Sequence, residues 1–84
     1  MPVTLILDRD FLADLRYWTE TQPRIAVKIL SMVEEISRDP FRGTGKPEPL
    51  KTSNAWSRRI TQEHRLVYRV DKNQVFLLQC RYHY

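Results

Sequence analysis

Apolar and polar positions along the chain change period twice, and each change marks an element boundary. Val3-Thr4-Leu5-Ile6-Leu7 is short, apolar and partly β-branched, which predicts a first strand. Asp8 or Asp10 then offers a carboxylate to the unpaired amides of a helix start. Phe11, Leu12, Leu15 and Trp18 recur at helical spacing on one face. Thr21-Gln22-Pro23 interrupts that pattern and sets Pro23 in the first turn of a second helix. Ala26, Ile29, Leu30, Val33 and Ile36 form the second stripe, and Pro40 ends it, so the two helices should form a hairpin.

From Pro40 to about Asn54 neither period survives. Pro40, Gly43, Gly45, Pro47 and Pro49 crowd this stretch, and a loop of such length in a small domain is more often functional than idle. Period two returns in Trp56–Thr61, in His64–Val70 and, after a short Asp71-Lys72-Asn73 connection, in Gln74–Tyr82. Leu66, Tyr68 and Val70 should face the helices, with Arg65, Val67 and Arg69 on the opposite side. Val75-Phe76-Leu77-Leu78 is apolar on both faces, as a central strand is. The expected fold is α+β: a twisted, mainly antiparallel sheet with two N-terminal helices packed on one face.

Length and composition sharpen this picture. Eighty-four residues suit one domain over 1–84, without room for a second core. A single cysteine, Cys80, leaves no internal disulfide, and it is expected to be a buried apolar residue. No apolar run approaches the roughly 18 residues of a membrane span and no signal sequence opens the chain, so a soluble cytoplasmic protein is expected. Charge divides unevenly. Residues 1–42 carry six Lys/Arg against seven Asp/Glu, a net of −1, and residues 43–84 carry eight against three, a net of +5. A basic half attracts polyanions, nucleic acid among them, although a merely solvated surface has the same composition.

Several chemistries drop out on spacing. Gly43-Thr44-Gly45-Lys46 lacks the phosphate-loop spacing, and Pro47 and Pro49 would interrupt the helix that must follow. His64, His83 and Cys80 are too few and too divergent for a zinc site, so neither a metal nor another cofactor is expected. The remaining set suits acid–base chemistry on phosphate. Glu48 lies in the Pro/Gly loop, with Lys51, Arg58, Arg59 and Arg65 near it in sequence and His83-Tyr84 at the last positions. RNA is cut without metal when a base takes the ribose 2′-hydroxyl proton, cations stabilise the phosphorane-like transition state, and an acid protonates the leaving 5′-oxygen. Each residue also has an ordinary reading as solvated surface or as a frayed end.

Longer motifs decide between these. Asp39-Pro40-Phe41-Arg42-Gly43-Thr44-Gly45-Lys46-Pro47-Glu48-Pro49-Leu50-Lys51 is followed by Trp56-Ser57-Arg58-Arg59-Ile60-Thr61. Glu63-His64-Arg65-Leu66-Val67-Tyr68 and Cys80-Arg81-Tyr82-His83-Tyr84 come next. Together they resemble the YoeB/Txe toxins of the RelE superfamily over essentially the whole chain. Asp14, Tyr17, Trp18 and Arg24-Ile25 also fit. The resemblance implies a RelE-like fold with a microbial-RNase-like active groove. It also implies a type II toxin that cuts mRNA in the ribosomal A site, a single mRNA interferase domain. By that analogy Glu48 is the general base, His83 the general acid and Arg65 the phosphate-stabilising group. Lys51 shares their pocket, and Tyr84 positions substrate. Arg59 and Glu63 are supporting residues, and Arg58 and Lys46 are expected on their charge to contact RNA. The implied partners are a YefM/Phd-like antitoxin with an acidic segment, the ribosome with both its subunits, mRNA, and a second copy of the chain as a homodimer. Thr52-Ser53-Asn54-Ala55 is shorter than the family pattern and lacks its Gly, so Asn54 should supply the left-handed turn. The competing reading is a toxin of the same fold that jams a target such as gyrase without cutting RNA.

Overall fold

The computed structural model describes residues 3–51 and 54–82. Strand β1 (Thr4–Leu7) leads into α1 (Arg9–Thr21) and α2 (Pro23–Arg38), followed by β2 (Glu48–Pro49), β3 (Ala55–Arg59), β4 (Arg65–Asp71) and β5 (Gln74–Gln79). The Asp8 side chain caps α1 by accepting the Asp10 N–H. One residue, Gln22, separates the helices and serves both. Its N–H donates to the Trp18 carbonyl, and its own carbonyl accepts the Ile25 N–H. Pro23 stands in the first turn of α2. Asp39, forced to extended geometry by the proline after it, closes α2.

The strands form one sheet in the order β1-β5-β4-β3-β2. Only β1 with β5 is parallel; β5 is an interior strand between β1 and β4, in keeping with its two-sided apolar run. Phe11 and Trp18 of α1 join Ala26, Ile29, Met32 and Ile36 of α2 over Leu66, Tyr68, Val75 and Leu77 of the sheet. Leu12 and Leu30 depart from expectation, with about half of each exposed. A helix turns about 100° per residue, so a stripe through 26, 29 and 36 admits Met32 and turns Leu30 outward.

Two features of the sheet were not visible in the period-two pattern. Within the Pro/Gly loop, Glu48 and Pro49 pair antiparallel with Ser57 and Trp56, so the loop contributes a two-residue edge strand. The strand expected to run from Gln74 to Tyr82 stops at Gln79. Tyr68 pairs with Leu77 but Val67 with Gln79, so Leu78 is bulged out of register. The bulge reverses the side-chain phase beyond it and turns Cys80 into the core beside Phe11 and Trp18. Asn54 has φ 58°, the left-handed turn expected there.

No helix among the described residues is long and apolar enough to cross a membrane.

Candidate active site

Register decides which side chains share a face. Glu48 opposes Ser57 and Ser57 opposes Val67, while Arg59 opposes Arg65, so Glu48, Ser57, Arg59 and Arg65 lie on the sheet face away from the helices. There the Arg65 guanidinium donates through Nη2 to Glu48 Oε1 at 2.6 Å and through Nε to Ser57 Oγ at 3.1 Å. Arg65 is largely buried, while Glu48 is open to solvent. The site therefore pairs an accessible carboxylate with a guanidinium whose direction is set from behind by a buried serine.

The other expected residues fall in different places. Lys51 is exposed just beyond β2. Lys46 and Arg59 line a cavity of about 260 Å³ with Lys28, Thr44, Gly45 and Ile60. Lys28 reaches it from α2 by donating to the Ile60 carbonyl at 2.6 Å. Glu63 is exposed in the turn before β4, where its N–H donates to Thr61 Oγ1. His83 and Tyr84 lie outside the described residues. Among the described residues no group of three or more His, Cys, Asp or Glu side chains is placed to hold a metal ion.

Arg58 corrects an expectation. It pairs opposite Leu66 on the helix side of the sheet and is fully buried, so it has no access to RNA. Its Nε donates to Tyr68 Oη (3.1 Å) and its Nη1 to Glu35 Oε1 (3.1 Å) and the Thr44 carbonyl (3.4 Å). Its Nη2 donates to the carbonyls of Asp39 (3.0 Å) and Arg42 (2.8 Å). Tyr68 in turn donates its hydroxyl to the Pro40 carbonyl at 2.6 Å. The Asp39–Gly45 stretch is thus wound around one guanidinium, the side chain best suited to five-fold donation. Gly43 belongs to the same knot: at φ +132° a Cβ would lie 2.5 Å from Glu35 Oε1 and 2.6 Å from Arg58 Nη1. Glu35 was not anticipated. The Thr44 N–H and hydroxyl hold its carboxyl below the ordinary range against the opposing effect of burial, and Arg58 adds a smaller pull in the same direction as Thr44. Burial raises the Tyr68 phenol above its usual value, opposed by Arg58.

The C-terminal segment is tied down by side chains from distant positions. Asp14 Oδ2 accepts the Cys80 N–H at 3.0 Å, and Trp18 Nε1 donates to the Cys80 carbonyl at 2.8 Å. His64 Nδ1 accepts the Tyr82 N–H at 2.7 Å, and the Arg65 N–H donates to the Tyr82 carbonyl at 3.0 Å. Tyr82 has φ 60°, which costs a non-glycine residue roughly 1 kcal/mol or more and is held here by capture of both its backbone groups. Arg81 stacks between the rings of Tyr17 and Tyr82.

The Cys80 thiol meets only core and the Phe11 carbonyl, and burial, with the Asp14 charge second, pushes its pKa up to about 12. Native protein at pH 8 should therefore resist iodoacetamide while unfolded protein reacts, as mass spectrometry will read. Because the folded pKa is raised from 9.0, the unfolded chain releases its thiol proton first. Stability contributed by this group is intact below about pH 9 and lost as pH rises toward about 12.

Solved structures that superpose on this chain fix its class. A YoeB/ParE toxin from Agrobacterium tumefaciens matches with TM-score 0.89 and 41% identity, over 98% of this chain and 100% of its own. Staphylococcus aureus YoeB, solved as a dimer and as a YoeB-YefM complex, is 34% identical over the whole of both chains, with TM-scores of 0.87 and 0.84. The protein is a bacterial toxin of the RelE/YoeB-like fold. Toxin YoeB of Escherichia coli K12 is 50% identical over 82 residues, 95% of this chain and 98% of that relative. The model of the YoeB-like toxin of bacterial type II toxin-antitoxin systems matches residues 7–84, and the chain belongs to that family.

Proposed function

We propose that this toxin is a ribosome-dependent mRNA endoribonuclease, cutting in the A site by acid–base catalysis without a metal. The observation that carries the reading is the Glu48–Arg65 pair, a solvent-open carboxylate 2.6 Å from a guanidinium anchored by Ser57. An arriving phosphodiester competes with Glu48 for Nη2 of Arg65. The carboxylate so released takes the proton of the ribose 2′-hydroxyl. The 2′-oxygen then attacks phosphorus, and Arg65, with Lys51, balances the charge that develops on the non-bridging oxygens. His83 gives its proton to the 5′-oxygen as the P–O5′ bond breaks, and Tyr84 positions the substrate. Lys46 and Arg59, joined by Lys28, attract the RNA backbone along the sheet edge, and Glu63 is a supporting residue. So small a domain leaves most alignment of the mRNA to the ribosome.

The YoeB-YefM complex from S. aureus supports a YefM-like antitoxin as partner, and the +5 charge of residues 43–84 suits an acidic segment lying on it. The S. aureus dimer supports a second copy of the chain as a further partner.

The test is cleavage of a defined mRNA on programmed ribosomes, followed by end-group analysis. The expected products carry a 2′,3′-cyclic phosphate upstream and a 5′-hydroxyl downstream, and His83→Ala should yield neither. Growth arrest with intact transcripts would return the protein to the target-jamming reading.

A further inference from the structure

We infer that Asp14, on the helix side of the sheet and away from Glu48 and Arg65, is a positioning residue for the acid end of the proposed active site. The inference rests on the ribonuclease reading. Its physical basis is the path of residues 80–82. After the Leu78 bulge this segment has left the sheet ladder, and its backbone groups need partners from elsewhere. α1 supplies them from one face: Phe11, Asp14 and Trp18, spaced three and four residues apart, take the thiol, the N–H and the carbonyl of Cys80.

Asp14 is the polar member of an otherwise apolar stripe, and no basic side chain forms an ion pair with it among the described residues. Its carboxylate is spent on a single backbone amide 66 positions away. Two residues further on, Arg65, whose side chain pairs with Glu48, also donates its own N–H to the Tyr82 carbonyl. The segment is thus pinned at Cys80 to α1 and at Tyr82 to β4, the strand that carries Arg65. His83 follows Tyr82 by one peptide bond in sequence, so these pins fix the point from which the chain continues to the proposed acid. Loosening the hydrogen bond at Cys80 is therefore expected to slow catalysis on the opposite side. Misplacement of a reacting group by about 1 Å costs on the order of 10²-fold in rate, so a modest loosening is measurable.

The experiment compares wild type, Asp14→Ala, Asp14→Asn and His83→Ala in single-turnover cleavage on programmed ribosomes, with toxin in excess. Asparagine keeps an oxygen that accepts the Cys80 N–H, and alanine does not. Asp14→Ala should lower the plateau rate by about tenfold or more. Its half-saturating concentration should stay within about twofold of wild type, because ground-state binding is untouched. Asp14→Asn should recover most of the plateau rate. Amide hydrogen exchange on the same proteins should quicken at Cys80 and Tyr82 in Asp14→Ala and stay unchanged in β3 and β4, which separates loosening from unfolding. A wild-type plateau rate in Asp14→Ala, a loss lying wholly in half-saturation, or a dead Asp14→Asn overturns the inference. If His83→Ala cuts as fast as wild type, the ribonuclease assignment falls first and the inference with it. An inactive His83→Ala beside a fully active Asp14→Ala overturns the inference alone.

Discussion

Replacing Arg65 with alanine is expected to slow single-turnover cleavage of ribosome-bound mRNA by about 10²–10³-fold, the loss that follows removal of one preorganised donor to developing charge. Ser57 makes Arg65 preorganised: its hydroxyl holds Nε, so the guanidinium presents Nη2 outward without searching. Arg65→Lys keeps the charge but loses the fork that reaches Ser57 and phosphate together, and it should fall between wild type and alanine. Glu48→Gln should cost about 10²–10⁴-fold, as loss of a general base does. The double variant should be little worse than the weaker single, because the two side chains act as one unit.

Stability should barely register Glu48→Gln. Glu48 keeps 63% of its side-chain surface exposed, and an ion pair with so open a partner contributes at most about 1 kcal/mol. Melting curves within a few degrees of wild type, alongside lost cleavage, would separate chemistry from folding. Wild-type cleavage by Arg65→Ala would remove Arg65 from the mechanism.

Arg58→Ala should do the reverse and strike the fold. Its side chain is wholly buried and donates to Tyr68, Glu35, Thr44, Asp39 and Arg42, so alanine takes the donor from three carbonyls, removes one partner each from the Glu35 carboxylate and the Tyr68 hydroxyl, and opens a void. Losing five hydrogen bonds from one buried charged group costs at least about 3 kcal/mol, against a total of roughly 4–13 kcal/mol for a domain of this length. The melting temperature should fall by more than about 10 °C. Activity should vanish with it, because the Asp39–Gly45 wrap delivers the chain to Glu48. Were Arg58 an RNA-contacting cation, alanine would leave the melting temperature alone and weaken RNA binding only.

The Arg58 knot also carries a pH signature. Hydrogen bonds from Thr44, then the Arg58 charge, hold the Glu35 carboxyl below its ordinary pKa of 4.5. Stability from this group is therefore present above pH 4.5 and lost as pH falls below it. Wild type should lose thermal stability in that acid range more steeply than Glu35→Gln, in scanning calorimetry across pH.

Arg58 and Arg59 are neighbours with the same side-chain chemistry and opposite fates. Period two carries the signal that separates them, since Trp56 and Arg58 must share one face and Ser57 and Arg59 the other. The apolar Leu66 and Tyr68 mark the inner face of the adjoining strand, and the β3–β4 register puts Arg58 beside Leu66. Charge alone suggested a contact with nucleic acid. Alternation, carried across one strand pair, would have turned Arg58 inward. Asp14 carried a fainter mark, a carboxylate inside the Phe11–Trp18 stripe.

Local regularities were legible because they depend on near neighbours. Helix periodicity, Pro23 at a helix start, Pro40 beyond a helix end, Asn54 in a left-handed turn and the two-sided apolar β5 all involve residues within a few positions of one another. Family membership was legible too, since motifs in order survive without knowledge of their contacts. The tertiary structure alone brought together groups remote in sequence: Glu48 with Arg65 at a separation of 17, Glu35 with Arg58 at 23, and Asp14 with Cys80 at 66. These contacts follow from strand register and from a one-residue bulge at Leu78. A shift of one position exchanges the two faces of a strand, so such details are decided when the sheet and helices pack together, not by the local preferences of any segment.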